Sequence, residues 1–334
     1  MNCLCCGKPL KADDGSGWHK SCIKRFFGTP VLPEIEIDNQ TLESIVTESV
    51  GKGLTVPGVQ KKLSLHLFSD GEKPRLTLVN FPTGYILKPQ TEEFTALPES
   101  EQLVMHMADV CGIATVPHAL IAQCGSCAYI TKRVDRVIEK SAVSMLAMED
   151  FCQLDLRLTA DKYKGSYERC AKIIERYSSR RAFDLAELFA RLVFCFMTGN
   201  SDMHLKNFSL IETAENSGEY ILSPAYDLLP VNVIMPEDKE QFALTMNGKK
   251  ANLRRGDFLK FADACGISRT AAEKMIARLL AKEQKLLTLC DDSLLPEEMK
   301  QVFRALITKR CQTLSGESCG FLFSDLPFAF SDDF

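Results

Sequence analysis

The chain has 334 residues, of which 46% are hydrophobic and 25% charged, and a formal net charge of −4. That balance excludes a disordered chain and argues against a dedicated nucleic-acid binder. No apolar run reaches the roughly 18 residues a bilayer span requires, and fourteen cysteines with no export signal point to a reducing, cytoplasmic setting and not to a disulfide scaffold. In chain order, Cys3-x-x-Cys6 and His19-x-x-Cys22 come first. Two pairs of soft ligands around a Gly-containing loop fit a closed, structural Cys₃His zinc site, with Cys5 as a spare. The other reading is ordinary cysteines beside a surface histidine.

Pro30, Pro33 and an acidic stretch to Glu43 read as a connector with a short helix after it. Gly51-Lys52-Gly53-Leu54-Thr55-Val56-Pro57-Gly58-Val59-Gln60-Lys61-Lys62 is a Gly- and Lys-rich loop that could approach phosphate. It has neither Walker A nor GxGxxG spacing, so a surface turn is the plainer reading. Leu63, Leu65 and Leu67 alternate with polar residues as a half-buried strand, Ser69-Asp70-Gly71 turns the chain, and Leu76 to Val79 returns. Tyr85-Ile86-Leu87-Lys88 is a strand closed by Pro89. Its lysine either snorkels to solvent or points into a site. Glu99 to Gly112 reads as a helix with a Leu103, Met107, Val110 stripe, Gly112 as its stop and Glu101 in its first turn. A strand lysine with a helix glutamate is the pairing that positions nucleotide phosphates in kinases. Strands at Thr115 to Ile121 and Ala128 to Thr131 lead to Lys132-Arg133-Val134.

Leu185, Leu188, Phe189, Leu192, Val193 and Phe196 recur at helical spacing, and Gly199-Asn200 stops that helix. The polar loop that follows offers Asp202 and Asn207, and after the apolar run Tyr220-Ile221-Leu222 comes Asp227. Any one of these alone is ordinary turn chemistry. Together, in this order behind a buried helix, they read as base, metal ligand and metal ligand for phosphoryl transfer. Ala271 to Leu289 and Pro296 to Lys309 read as amphipathic helices, and Phe321 to Phe330 as an aromatic tail that either docks a partner or packs back. A β-rich half before a helical half gives an α+β, two-lobed protein-kinase-like fold, with a zinc-binding knuckle over 1–30, an N-lobe over 31–136 and a helical C-lobe over 137–334.

These segments together resemble the HipA family of bacterial serine/threonine kinases, the toxins of HipBA-type toxin–antitoxin systems. Thr55 to Ser64 is similar to the family's Gly-rich phosphate loop, Tyr85 to Pro89 to its lysine strand, and Glu99 to Glu101 with Ala108 to Ile113 to its regulatory helix. Ile130 to Arg136 resembles the hinge, Glu149-Asp150-Phe151-Cys152-Gln153 a further signature, Asn200 to Asn207 and Tyr226-Asp227 the catalytic and metal loops, and Leu244 to Lys250 a C-lobe segment. The resemblance implies ATP and Mg²⁺ as cofactors, with Asp202 as base, Asn207 and Asp227 as Mg²⁺ ligands, and Lys88, oriented by Glu101, on the α/β-phosphates. It implies nucleotide contacts from Gly58, Val59, Gln60 and His204, and adenine held by the backbone of Lys132, Arg133 and Val134. Val134 stands where an aromatic is common.

Full-length relatives carry a longer stretch before the loop, so the chain resembles the short HipT form, whose missing subdomain comes from a separate small protein. Short forms carry Ser-x-Ser before the loop glycine; Thr55 and Pro57 stand there. Phosphate on Thr55 would place negative charge beside the ATP phosphates, and autoinhibition by Thr55 autophosphorylation is the expectation. The resemblance further implies a protein substrate such as an aminoacyl-tRNA synthetase, antitoxin partners, DNA contact only through an antitoxin, and no membrane. A small-molecule or lipid kinase and a non-catalytic nucleotide-binding regulator are the alternatives.

Overall fold

A computed structural model of the chain describes residues 2–11, 15–35, 62–68, 73–77, 84–123, 125–139 and 142–316. Thr55, Gly58, Val59 and Gln60, the turn at 69–71, the short helix expected after the Pro30–Pro33 connector and the aromatic tail lie outside those residues.

Helix α1 (Lys20–Phe27) ends at Gly28 in the left-handed region. Strands β1 (Glu34–Ile35), β2 (Leu63–Phe68), β3 (Arg75–Thr77) and β4 (Tyr85–Lys88) precede helix α2 (Leu97–Cys111), and β5 (His118–Gln123) and β6 (Ser126–Lys132) follow it. The six strands form one sheet in the order β1-β3-β2-β4-β6-β5, antiparallel except for β1 against β3. Period-two alternation decides which side chains meet which layer. Leu65, Tyr85, Leu87, Ala119, Ile121, Ala128 and Ile130 pack with Trp18, Ile23, Phe26 and Phe27 on one face. Leu120 and Tyr129, on the other, join a core with Leu103, Met107 and Ala108 of α2. The sheet is thus covered by the N-terminal segment on one side and by α2 on the other.

The expected helix at 99–112 starts two residues earlier, at Leu97, with Pro98 in its first turn, and Gly112 caps it as expected. Its burial departs from a single stripe: Ser100, Glu101, Gln102, Leu103, Val104, Met105, Met107 and Ala108 are all buried. The cause is its position between the sheet and the helical lobe, which leaves little of its circumference to solvent.

After the hairpin β7 (Arg136–Glu139) and β8 (Ala142–Met145), a three-stranded sheet β11-β10-β9 forms from β9 (Met148–Asp150), β10 (Ser209–Glu212) and β11 (Tyr220–Leu222). Around it lie α3 (Phe151–Leu154), α4 (Tyr167–Tyr177), α5 (Arg181–Thr198), α6 (Val231–Ile234), α7 (Arg255–Ala264), α8 (Arg269–Leu280), α9 (Glu283–Asp291) and α10 (Glu297–Ser315). The stretch from Ala271 to Leu289, expected as one helix, breaks between Leu280 and Glu283; the break lets α8 lie on α5 while α9 reaches α2. Central α5 buries Leu185, Leu188, Phe189, Leu192, Val193 and Phe196, the residues of the sequence pattern. Among the described residues no helix is long and apolar enough to cross a membrane.

Candidate active site

The two strands β10 and β11 explain why residues twenty apart in sequence meet. Leu210 pairs with Leu222 in an antiparallel ladder, so the loop entering β10 and the segment leaving β11 emerge from the same end. The first carries Asp202, His204 and Asn207; the second carries Asp227. On the other edge Ser209 pairs with Asp150, which places Asp150 where its Oδ2 accepts from Lys206 Nζ at 2.6 Å. Asp150 also caps α3 in a reciprocal pairing with Gln153, so the Glu149–Gln153 segment ties that helix to the loop carrying Asp202 and Asn207.

The loop itself starts at Gly199, with φ +68°. A Cβ there would lie 3.0 Å from both Cδ atoms of Leu306, so the backbone conformation favours glycine and any side chain would have to displace Leu306. Beyond it, Asp202 N–H donates to Asn200 Oδ1 at 3.2 Å, Asn207 Nδ2 donates to the Asp202 carbonyl at 2.9 Å, and Tyr167 Oη donates to the Met203 carbonyl at 3.0 Å. Asp202 Oδ1 accepts from Tyr163 Oη at 2.8 Å. Burial raises the Asp202 carboxyl above the usual range, against the opposing Tyr163 hydrogen bond and the Lys162 charge. His204 is buried and, among the described residues, its Nδ1 has no hydrogen-bond partner. Burial pushes it down to about 4 with help from the Lys162 charge, so it is neutral at physiological pH.

Lys88 points from β4 toward α2. Its ammonium donates to Glu101 Oε1 at 2.5 Å and to Asp227 Oδ1, and lies 5.2 Å from the centroid of the Tyr129 ring. Lys62 Nζ donates to Asp227 Oδ2 at 2.8 Å. Four charges therefore alternate in sign: Glu101, Lys88, Asp227, Lys62. The side chains of Lys88 and Glu101 are 4% and 0% exposed, so each depends on its neighbour for the solvation it has lost. Burial works against the Lys88 cation, but Asp227 and Glu101 outweigh it and keep it protonated. Burial lifts Glu101 to about 7 despite Lys88. Burial also opposes the Asp227 anion, yet Lys62 and Lys88 hold it far below the usual carboxylate range. Asp227 itself sits at φ +56°, a left-handed conformation that a non-glycine residue adopts at a cost and that is concentrated at functional sites.

In the hinge, the N–H groups of Lys132 and Arg133 donate to the carbonyls of Pro117 and Gly84, each at 2.9 Å. Arg133 is locked by two hydrogen bonds to Asp135, and Val134 packs against the core shared with the helical lobe. The structure thus brings Lys62, Lys88, Glu101 and Asp227 into one chain of charges, and its field reaches Asp202 and His204.

Several contributors escape a reading of the sequence. Tyr163 gives no signal, because its contact spans 39 positions. Asp184 and Arg191 are more legible, being charged residues inside an apolar helix pattern, where a charge must find a partner. Asp184 Oδ2 accepts from Leu222 N–H at 2.7 Å, and Arg191 Nη2 donates to the Ser223 carbonyl at 3.1 Å. Both fix the segment that delivers Asp227.

A second site lies at the N-terminus. The ligand atoms of Cys3, Cys6, His19 and Cys22 all lie within 4.8 Å of one another. His19 Nδ1 is 3.4 Å from Cys6 Sγ and 3.9 Å from Cys22 Sγ, either side of the edge of about 3.6 Å that tetrahedral zinc sets between a nitrogen and a sulfur ligand. His19 Nε2 lies 3.0 Å from the Pro9 carbonyl. A carbonyl only accepts, so Nε2 carries the hydrogen and Nδ1 turns its lone pair on the cluster, the orientation a metal-binding imidazole needs. The donor set fits structural zinc. Cys5 lies outside it, buried, with Arg25 Nη2 at 4.0 Å from its sulfur.

Residues 54–286 match the model of the HipA-like C-terminal domain. A Haemophilus influenzae protein named "Putative kinase" is 24% identical over 87% of this chain and 90% of its own length. "Putative kinase Y4mE" of Sinorhizobium fredii is 29% identical over 69% of this chain, which spans 55% of that relative's length. Among solved structures, HipA from a Shewanella oneidensis complex with HipB and its operator DNA superposes with a TM-score of 0.67 at 19% identity, over 92% of this chain and 80% of HipA. The Helicobacter pylori proinflammatory kinase CtkA gives 0.52 at 16% identity, over 76% of this chain and 97% of CtkA. At these identities the structural likeness is one of fold, and it is the two-lobed α+β kinase fold. The family match covers more than half of the sequence, and the chain belongs to the HipA family through its HipA-like C-terminal domain.

Proposed function

We propose that the chain is an ATP-dependent serine/threonine protein kinase. The carrying observation is the buried Lys88–Glu101 pair, closed onto Asp227 beside Asp202 and Asn207. In this reading Lys88 holds the α/β-phosphates, Asp202 takes the proton of the attacking hydroxyl, and His204 lines the nucleotide site as a neutral ring. The donor set of Asp227, kept ionised, and Asn207, whose amide is oriented by the Asp202 carbonyl, fits Mg²⁺, which when bound neutralises charge on the phosphates. Lys62 and Lys88 both donate to Asp227 here, and since an ammonium carries three donors, Lys88 can hold Glu101 and Asp227 and still offer an N–H to a phosphate oxygen.

Residues 1–30 serve as the zinc-binding knuckle, 31–136 as the nucleotide lobe and 137–334 as the catalytic lobe. The family supports the further reading of a toxin in a HipBA- or HipBST-type system. It would stop growth by phosphorylating a translation component such as an aminoacyl-tRNA synthetase, act in the cytoplasm with antitoxin partners, one of them a small protein supplying an N-terminal subdomain, touch DNA only through an antitoxin, and be inhibited by autophosphorylation at Thr55. Gly58, Val59 and Gln60 with the hinge Lys132–Val134 complete the nucleotide contacts in this reading.

The test is labelling of a cytosolic lysate with γ-labelled ATP and Mg²⁺, beside an Asp202→Gln control. A discrete protein labelled only by the unaltered enzyme is the expected result, and mass spectrometry of the enzyme after ATP shows phosphate on Thr55. An active enzyme with unmodified Thr55 overturns the self-inhibition. No labelled protein despite bound ATP transfers the reading to a small-molecule acceptor or to a silent regulator.

A further inference from the structure

The glutamate that orients Lys88 has a neighbour that faces the other way along the fold. Glu101 reaches into the nucleotide site; Gln102, the next residue of α2, reaches the zinc knuckle. Its Nε2 donates to the Cys5 carbonyl at 3.3 Å, and its Oε1 meets His118 Nδ1 at 2.8 Å. His118 Nε2 lies 3.1 Å from Asp109 Oδ2, which returns the chain to the far end of α2, and Asp109 Oδ1 accepts from Thr115 at 2.5 Å. One turn beyond Gln102, His106 lies against Gly7. A Cβ on Gly7 would come within 2.7 Å of His106 Cε1, and Gly7 has φ +67°. The knuckle also ties itself to the sheet. Leu120 N–H on edge strand β5 donates to the Leu4 carbonyl at 2.9 Å, and Trp18 Nε1 donates to the Leu120 carbonyl at 3.1 Å.

The knuckle's own contacts with α2 and β5, through Leu4, Cys5, Gly7 and Trp18, all come from the loop that the metal would close. Cys5 stands between ligands Cys3 and Cys6, Gly7 follows Cys6, and Trp18 precedes His19. The turn is held inside by Cys3 N–H on the Lys8 carbonyl and Gly7 N–H on the Cys3 carbonyl. Trp18 anchors the end of the loop in the aromatic cluster, and ligand closure would fix the turn around Cys3 to Gly7 against it. The knuckle meets α2 on the flank that carries Gln102 and His106, and it meets β5, the strand α2 leads into. Glu101 keeps Lys88 only while α2 stays against the sheet.

We infer that the zinc knuckle is an intramolecular brace for α2, with Gln102 as the positioning residue, so that metal occupancy and nucleotide binding are thermodynamically coupled. This rests on the proposed nucleotide role of Lys88. Coupling is reciprocal: whatever factor zinc adds to nucleotide affinity, nucleotide adds to zinc affinity. The arrangement makes the enzyme responsive to zinc supply and to oxidation of the ligand thiols, because either change releases the brace.

The test uses the full-length, zinc-loaded protein with Mg²⁺ and a non-hydrolysable ATP analogue. Zinc is drawn off with a zinc-selective chromogenic chelator while nucleotide affinity and hydrogen exchange are followed. Zinc loss is expected to speed exchange in 97–111 while 181–198 stays protected, and to weaken analogue binding on the order of tenfold, the scale of ordinary allosteric coupling. The analogue should slow zinc loss by the same factor. Gln102→Leu, which keeps the volume and removes the donor, should keep zinc but bind the analogue about fivefold more weakly, the worth of one hydrogen bond, and should abolish the protection of zinc by the analogue. Equal nucleotide affinity with and without zinc, or unchanged coupling in Gln102→Leu, overturns the brace. These readouts need no phosphoryl transfer. An enzyme that binds the analogue, shows the coupling and phosphorylates nothing refutes the kinase and leaves the brace standing.

Discussion

Replacing Lys88 by methionine removes one charge from a row of four. The side chain is 4% exposed, its partner Glu101 is fully buried and Asp227 keeps Lys62 as a second cation. Loss of one member of a buried ion pair ordinarily costs on the order of 3–5 kcal/mol, because the remaining charge is stranded. Two features here reduce that cost. Glu101 already sits near 7 and can take up a proton, and Asp227 is still held by Lys62. About 3 kcal/mol is then the expected loss, a fall in Tm of roughly 5 °C for a chain of this size. Adding Glu101→Gln removes the stranded carboxylate and should restore about half of that loss. Thermal denaturation at pH 7.5 of the wild type, both single variants and the double gives the cycle. Analogue binding measured in parallel should be lost in Lys88→Met and stay lost in the double, since stability returns without the ammonium proposed to hold the phosphates. Strict additivity of the two substitutions would refute the reasoning, because it would mean that the two buried groups do not depend on one another.

The pH dependence follows from the same groups. Glu101 has its carboxyl raised by burial to about 7, so its charged form costs stability that grows from the unfolded range up through 7. The Lys88–Glu101 pair, by contrast, forms only as that proton leaves. Nucleotide affinity should therefore rise through about pH 7 while thermal stability falls, and Glu101→Gln should flatten both curves. His204, at about 4, should contribute no limb between pH 5 and 8 to a rate profile, and His204→Gln should leave its shape unchanged. Tyr163→Phe deletes the hydrogen bond that lowers the Asp202 carboxyl, so the acid limb of kcat should move to higher pH with analogue affinity unaltered; an unmoved limb would show that Tyr163 does not act on the base. Trp18→Ala should cost about 3–5 kcal/mol, the usual scale for a fully buried aromatic, and a denaturant midpoint within error of wild type would contradict the packing of Trp18 on Phe26 and Phe27.

Much of this site is written locally in the sequence. The α5 pattern and Gly199 place the loop of Asp202 and Asn207 because helical periodicity and a left-handed stop act over neighbouring residues. Lys88 at the end of an apolar strand and Glu101 in the next helix are legible for the same reason, since each stands at a position whose direction its own element sets. What brings them to Asp227 is not local. It depends on the register of β10 on β11 and on Asp184 and Arg191 reaching across to Leu222 and Ser223. Lys62 on Asp227 joins residues 165 positions apart, a pairing decided by how the two lobes close. The burial of α2 on nearly all sides, and the break between α8 and α9 that accompanies it, are likewise products of packing, which an amphipathic pattern read one helix at a time does not contain.

The bond from Trp18 to the Leu120 carbonyl crosses 102 positions, and during synthesis that distance becomes time. The aromatic group Trp18, Phe26 and Phe27 leaves the ribosome well before β5 and β6, the strands whose Ala119, Ile121, Ala128 and Ile130 cover it. At roughly 5–20 residues per second the interval is several seconds. Until β5 and β6 emerge, the cluster has only part of its cover, from residues such as Leu65, Leu76, Tyr85 and Leu87 of β2 to β4, and the apolar surface left open is a natural substrate for a holdase chaperone. Asp202 and Asn207 are translated only later still, so the loop that carries them forms on the ribosome after the N-terminal aromatic cluster has had time to find its cover.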